Sequence, residues 1–133
     1  MKIAINDQAS VLSIQKEFNR MFPWLKLEFF SKLHHPSTGS VMYDLQDGKT
    51  IGELRTSHKT GVIVITPQMS VNELEQLFGL AYGLGVQVFR KSGKSWLETI
   101  HTDSWTLEEQ NSEGEELSKG VEPEKPADYD DRD

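Results

Sequence analysis

Between Gly61 and Ser92 the apolar positions change period twice. Val62-Ile63-Val64-Ile65 is an unbroken run of β-branched residues, the composition of a strand covered on both faces. Thr66-Pro67 ends it, because proline cannot donate to a ladder. Ser70-Val71-Asn72-Glu73 then has the form of a capping box, and Val71, Leu74, Leu77/Phe78 and Ala81 follow at helical spacing. Gly83 and Gly85 supply the positive-φ positions that end a helix, and Val86-Gln87-Val88-Phe89 opens another strand over 86–91.

The same two periods organise the rest of the body. Ile3 and Ile5 share one face of a first strand over Lys2 to Ile5. Asp7 or Ser10 caps the helix that follows, whose apolar face is Val11, Ile14, Phe18, Met21 and Phe22. Pro23 stops that helix, and Leu25, Leu27 and Phe29 alternate with Lys26 and Glu28, which predicts a strand over 25–31 with one wet face. Residues 33–60 carry a weaker pattern: a loop around His34-His35-Pro36, a short strand at Val41-Met42-Tyr43, a turn at Asp47-Gly48, and over Thr50–Arg55 an edge strand or a single helical turn, the strand being favoured. Ser92-Gly93 turns the chain into a last strand within Ser95–His101. Thr106-Leu107-Glu108-Glu109 is a second capping box, opening a short helix that Gly114 is expected to stop. The sequence contains no internal repeats.

This element order predicts an α+β fold, a ferredoxin-like βαββαβ sandwich. Two helices would lie on one face of a mainly antiparallel sheet, with an extra C-terminal strand; another strand order with the same elements is the alternative. The order resembles the ferredoxin-like superfold over about residues 2–100. The strings Val86–Gly93, Trp96–Thr99 and Thr102–Leu107 also resemble those of small uncharacterised bacterial single-domain proteins. Neither resemblance implies an activity, since sites are grafted onto folds.

Charge divides the chain. Its formal net charge is −7, but residues 1–107 hold 11 Lys+Arg against 10 Asp+Glu, while residues 108–133 hold 3 against 11. The expected organisation is one domain over 1–107 and an acidic, largely disordered tail over 108–133, because that segment lacks the apolar surface to offset its conformational entropy. A body of this length needs no covalent staple. The absence of cysteine excludes disulfides, thiolate metal sites and thiol catalysis. With no signal-like or membrane-length apolar run, a cytoplasmic protein is expected.

Candidate chemistry is sparse. Gly93-Lys94-Ser95 matches the end of a P-loop, but the full motif needs glycine where Val88 stands, and no helix follows. His34, His35, His58 and His101 have no metal-ligand spacing, and Ser95, His101, Asp103 and Ser104 cluster only in sequence. No catalytic residue, metal or cofactor is assigned. The surface that stands out is the hairpin bearing Arg90, Lys91, Lys94 and Trp96, where cations stand beside aromatics. The expected function is a non-enzymatic binding module acting through this hairpin or a sheet edge, with a protein partner or self-association. One alternative is a single-stranded nucleic-acid binder with an autoinhibitory acidic tail, disfavoured because the body is nearly neutral. The other is a metal-dependent enzyme using the loop histidines. No membrane partner is expected.

Overall fold

The computed structural model describes residues 1–30 and 48–120. The expectations for His34, His35 and Val41–Tyr43, and for the segment beyond Gly120, fall outside these residues. Among the described residues the chain is a mixed α+β structure with antiparallel sheets and three α-helices. In order these are β1 (Lys2–Ile5), α1 (Val11–Met21), β2 (Leu25–Phe30), β3 (Gly61–Val64), α2 (Val71–Gln76), β4 (Gly85–Ser92), β5 (Ser95–Glu98) and α3 (Leu107–Leu117).

Local chemistry explains these limits. Ser10, not Asp7, caps α1, its hydroxyl accepting from the Ser13 amide at 3.2 Å. Ser70 closes the predicted capping box on α2 with Glu73. A π-helical segment, Leu77–Ala81, extends α2, and Gly83 (φ 68°) then ends it. Gly83 N–H donates to Gly79 C=O and Leu84 N–H to Phe78 C=O, each at 3.0 Å.

The strands pair differently from a ferredoxin-like sheet, in which β2 and β4 would be opposite edges. β1 pairs with β3 in one ladder, and β2, β4 and β5 form a second in that order, all antiparallel. Element order alone does not encode this pairing. Helices α1 and α2 close one core over the two ladders. It contains Ile3, Ile5 and Ile63 from the first, Ile65 just after β3, Leu25, Leu27, Phe29, Val86 and Val88 from the second, and Val11, Ile14, Phe18, Val71, Leu74 and Phe78 from the helices. Phe29 meets Phe78 edge-on at 5.6 Å.

Three sequence expectations are corrected. Residues 51–54 form a 3-10 turn, not an edge strand, because a Thr50/Glu53 capping box starts a helical turn there and Ile51 fills the core. The face of β2 bearing Lys26 and Glu28 is not wet. Glu28 is buried, taking a hydrogen bond from Gln15 Nε2 at 3.0 Å and an ion pair from Lys26 at 3.4 Å. Finally, Gly114 does not stop α3, which runs through it to Leu117. Gly114 is a point of close approach: a Cβ there would stand 2.9 Å from Trp24 Cβ and 3.0 Å from its carbonyl oxygen. Gly114→Ala is therefore expected to destabilise the fold by about 1–3 kcal/mol, because the obstruction includes backbone. Urea unfolding checks this; an unchanged midpoint would mean that α3 is not held against Trp24.

The chain also contains an internal repeat that its sequence conceals. Exchanging a first half (Lys2–Leu54) with a second (Gly61–Leu117) maps both ladders onto themselves. The pair Lys2↔Val64 becomes Ala4↔Val62, and Leu27↔Val88 becomes Phe29↔Val86. Isolated bridges join Ser10 to Thr50 and Ser70 to Thr106. Their backbone bonds correspond one to one. Val11 N–H donates to Lys49 C=O at 3.0 Å as Val71 does to Trp105 at 3.1 Å, and Ile51 to Ala9 at 2.9 Å as Leu107 to Met69 at 2.8 Å. The 3-10 turn at Ile51–Leu54 thus occupies in the first half the place that α3 takes in the second.

Candidate functional site

The hairpin residues do not form one surface. Successive side chains of β4 point to opposite faces, so Arg90 and Lys91 diverge. Arg90 turns towards α3, where its Nη1 donates to Gln110 Oε1 at 2.8 Å and its guanidinium carbon lies 5.7 Å from the Trp105 ring centroid. Lys91, only 2 % exposed, turns the other way. Its Nζ and that of Lys26 each stand 4.9 Å from the Trp96 ring centroid. Lys94 is exposed at the tip, beside Gly93, whose φ of 62° makes the tight turn and whose N–H donates to Ser118 Oγ at 2.9 Å.

Two of the exposed large apolar side chains, Leu97 and Trp105, lie on the α3 side of the hairpin, while Val62, Val64 and Leu80 are exposed elsewhere. Leu97, opposite Arg90 across the β4–β5 ladder, is 42 % exposed, and Trp105 on the far side of Arg90 is 37 % exposed. Trp105 is held from below. Its N–H donates to Thr102 C=O at 2.9 Å and its carbonyl accepts from Val71 N–H at 3.1 Å. Buried Gln110 braces the same turn, donating to Thr102 O and Oγ1 at 2.7 and 2.9 Å while accepting from Arg90. Beside Trp105 a shallow groove, open to solvent, runs along the outer face of α3 past Glu108, Glu109, Ser112 and Glu113. Residues assigned by sequence to a tail therefore form one wall of the candidate surface; the capping box at Thr106 was the available signal.

A second polar cluster lies at Asp7. The fully buried Arg55 side chain donates from Nε and Nη2 to Asp7 Oδ1 at 3.2 and 2.9 Å, and from Nη1 to Tyr82 C=O at 3.0 Å. His58 Nδ1 lies 2.5 Å from Asp7 Oδ2, although the imidazole is largely exposed. The hydrogen bond from Arg55, and then that from His58, holds the Asp7 carboxyl below its ordinary range. These groups join the start of the first half to the end of α2, and Arg55 is committed to that clasp. His101 stands apart from it in a 3-10 turn (Ile100–Thr102). Among the described residues no group of three or more His, Asp and Glu side chains is placed to hold a metal, and no helix is long and apolar enough to cross a membrane.

No family model matches the chain, and no curated protein or solved structure is significantly similar to it.

Proposed function

We propose that the protein is a non-enzymatic interaction module that docks a protein partner on the face formed by Leu97, Arg90 and Trp105. The observation that carries this reading is that two large apolar side chains stay exposed on either side of a guanidinium that is itself fixed by Gln110. Aromatic and arginine side chains on a rigid support are what interface centres are built from. The Asp7 cluster supports a non-catalytic role, since its arginine is engaged with Asp7 and the Tyr82 carbonyl. Nucleic acid is the weaker alternative, because Arg90 is committed to Gln110 and Lys91 is buried, leaving Lys94 as the exposed cation of the hairpin.

The test is affinity capture from the cells that express the protein, comparing the wild type with Leu97→Ser/Trp105→Ala. The wild type is expected to retain a discrete partner that the variant loses, with circular dichroism showing both folded. Identical captured sets would overturn the reading.

A further inference from the structure

We infer that the segment docking in the α3 groove is a basic peptide, one of whose Arg or Lys side chains lies on the open part of the Trp105 ring. This rests on the reading of the Leu97–Trp105 face as an interface and specifies the chemistry of its partner. Three observations converge on it. The groove is continuous with that face, because Trp105 belongs to both. Its ring already accepts one cation, Arg90, at 5.7 Å, and more than a third of the residue remains exposed. A second cation on the free part of an indole is a favourable contact.

The wall of the groove is complementary to such a partner. Glu108 is exposed and Glu113 partly so, and among the described residues neither carboxylate forms a hydrogen bond or ion pair. Glu109 is occupied by its capping box with Thr106, and Glu116 by Lys119 at 3.1 Å. Glu108 and Glu113 thus remain to meet cations flanking the one over Trp105. The described residues 108–120 carry five glutamates against one lysine, so this stretch is strongly negative. That field steers a basic segment towards the groove.

Fluorescence anisotropy with a labelled oligo-arginine peptide, and an oligo-glutamate control, tests the inference on the full chain at low and moderate salt. The wild type is expected to bind the basic peptide alone, more weakly as salt rises. Trp105→Ala and Glu108→Gln/Glu113→Gln are each expected to weaken binding about tenfold. Glu122→Gln/Glu124→Gln/Asp128→Asn removes more charge, from residues outside α3, and is expected to weaken it less than about threefold. Should Trp105→Ala not fold, the α3 glutamine variant decides alone. Absence of binding, or equal losses for the groove and tail variants, would overturn the inference. If the peptide fails to bind while Leu97→Ser/Trp105→Ala still loses the captured partner, the interface stands and only the basic chemistry falls.

Discussion

Ile51→Ala is expected to cost about 2–5 kcal/mol of folding stability, as much as Leu107→Ala, although one residue sits in a four-residue 3-10 turn and the other in an eleven-residue helix. Both side chains are fully buried in the single core. Both backbones are fixed by the same device, an N–H bonded to the carbonyl just before the opposing helix's cap: Ile51 to Ala9, Leu107 to Met69. Each follows a capping-box threonine, Thr50 or Thr106. Deleting the side chain leaves a cavity with little freedom to collapse, because the flanking bridge pins the turn. Urea denaturation of the two variants measures both costs. A loss below about 1 kcal/mol for Ile51→Ala beside a large one for Leu107→Ala would mean that the first-half turn is not an equivalent of α3.

That equivalence shows why much of the fold was legible in the sequence and its symmetry was not. The elements α1, β2, β3, α2 and β4 followed from periodicity and capping, since Ser10, Ser70, Pro23 and the Leu25/Leu27/Phe29 alternation act within a few residues of where they stand. The repeat is carried by few identities, among them Ile3 and Ile63, Ile5 and Ile65, Gln8 and Gln68, Ser10 and Ser70, Val11 and Val71, and Phe18 and Phe78. Between them the helix surfaces diverge freely, because only the buried and capping positions are constrained by the exchange of halves. The fourth element differs most. A capping box opens both Ile51–Leu54 and α3, yet the first ends after one turn at Arg55, whose guanidinium is needed by Asp7 and the Tyr82 carbonyl. At the corresponding place in the second half Asn111 accepts from Trp24 N–H at 2.8 Å, and the helix continues.

The candidate surface was legible only in part. Alternation along β4 already places Arg90 and Lys91 on opposite faces, so a basic hairpin of adjacent residues cannot act as a single patch. What composition concealed was α3. A segment with Glu108, Glu109, Glu113, Glu115 and Glu116 has the charge of a disordered tail, yet it packs because Leu107, Gln110, Gly114 and Ser118 are buried along one side. Two of those four are polar and one is glycine, so a search for a hydrophobic stripe passes over them. Gln110 is satisfied by Arg90 and Thr102, and Gly114 lets the helix approach Trp24. Burial there depends on hydrogen bonds and proximity, which a hydropathy pattern does not record.

Glu75→Gln is expected to abolish a pH dependence of stability between about pH 5 and pH 8 and to leave the protein more stable at the alkaline end. Glu75 projects from α2 and accepts from Val88 N–H at 3.2 Å. Burial pushes its carboxyl up to about 8; Asp103 adds to the rise, and the Val88 N–H opposes it. The native state therefore keeps a proton that the unfolded chain releases near pH 4.5. Stability from this group is fully present below that value, declines as pH rises, and is lost once pH passes through the folded value. The loss across the window is roughly 3 kcal/mol. Glutamine removes the titration while its side-chain oxygen can still accept from Val88. Asp7 and Glu53 are shifted the opposite way, so their contributions are present above the ordinary carboxylate range and are lost only on acidification. The difference between wild type and Glu75→Gln thus isolates one group. Chemical denaturation at intervals from pH 5 to pH 9 should give curves that diverge with rising pH, the variant above the wild type at pH 8. Parallel curves would mean that Glu75 is ionised in the folded protein. The same position in the first half is Gln15, whose Nε2 donates to the Leu27 carbonyl at 2.9 Å. The repeat therefore already contains an amide that serves this junction without a titratable group.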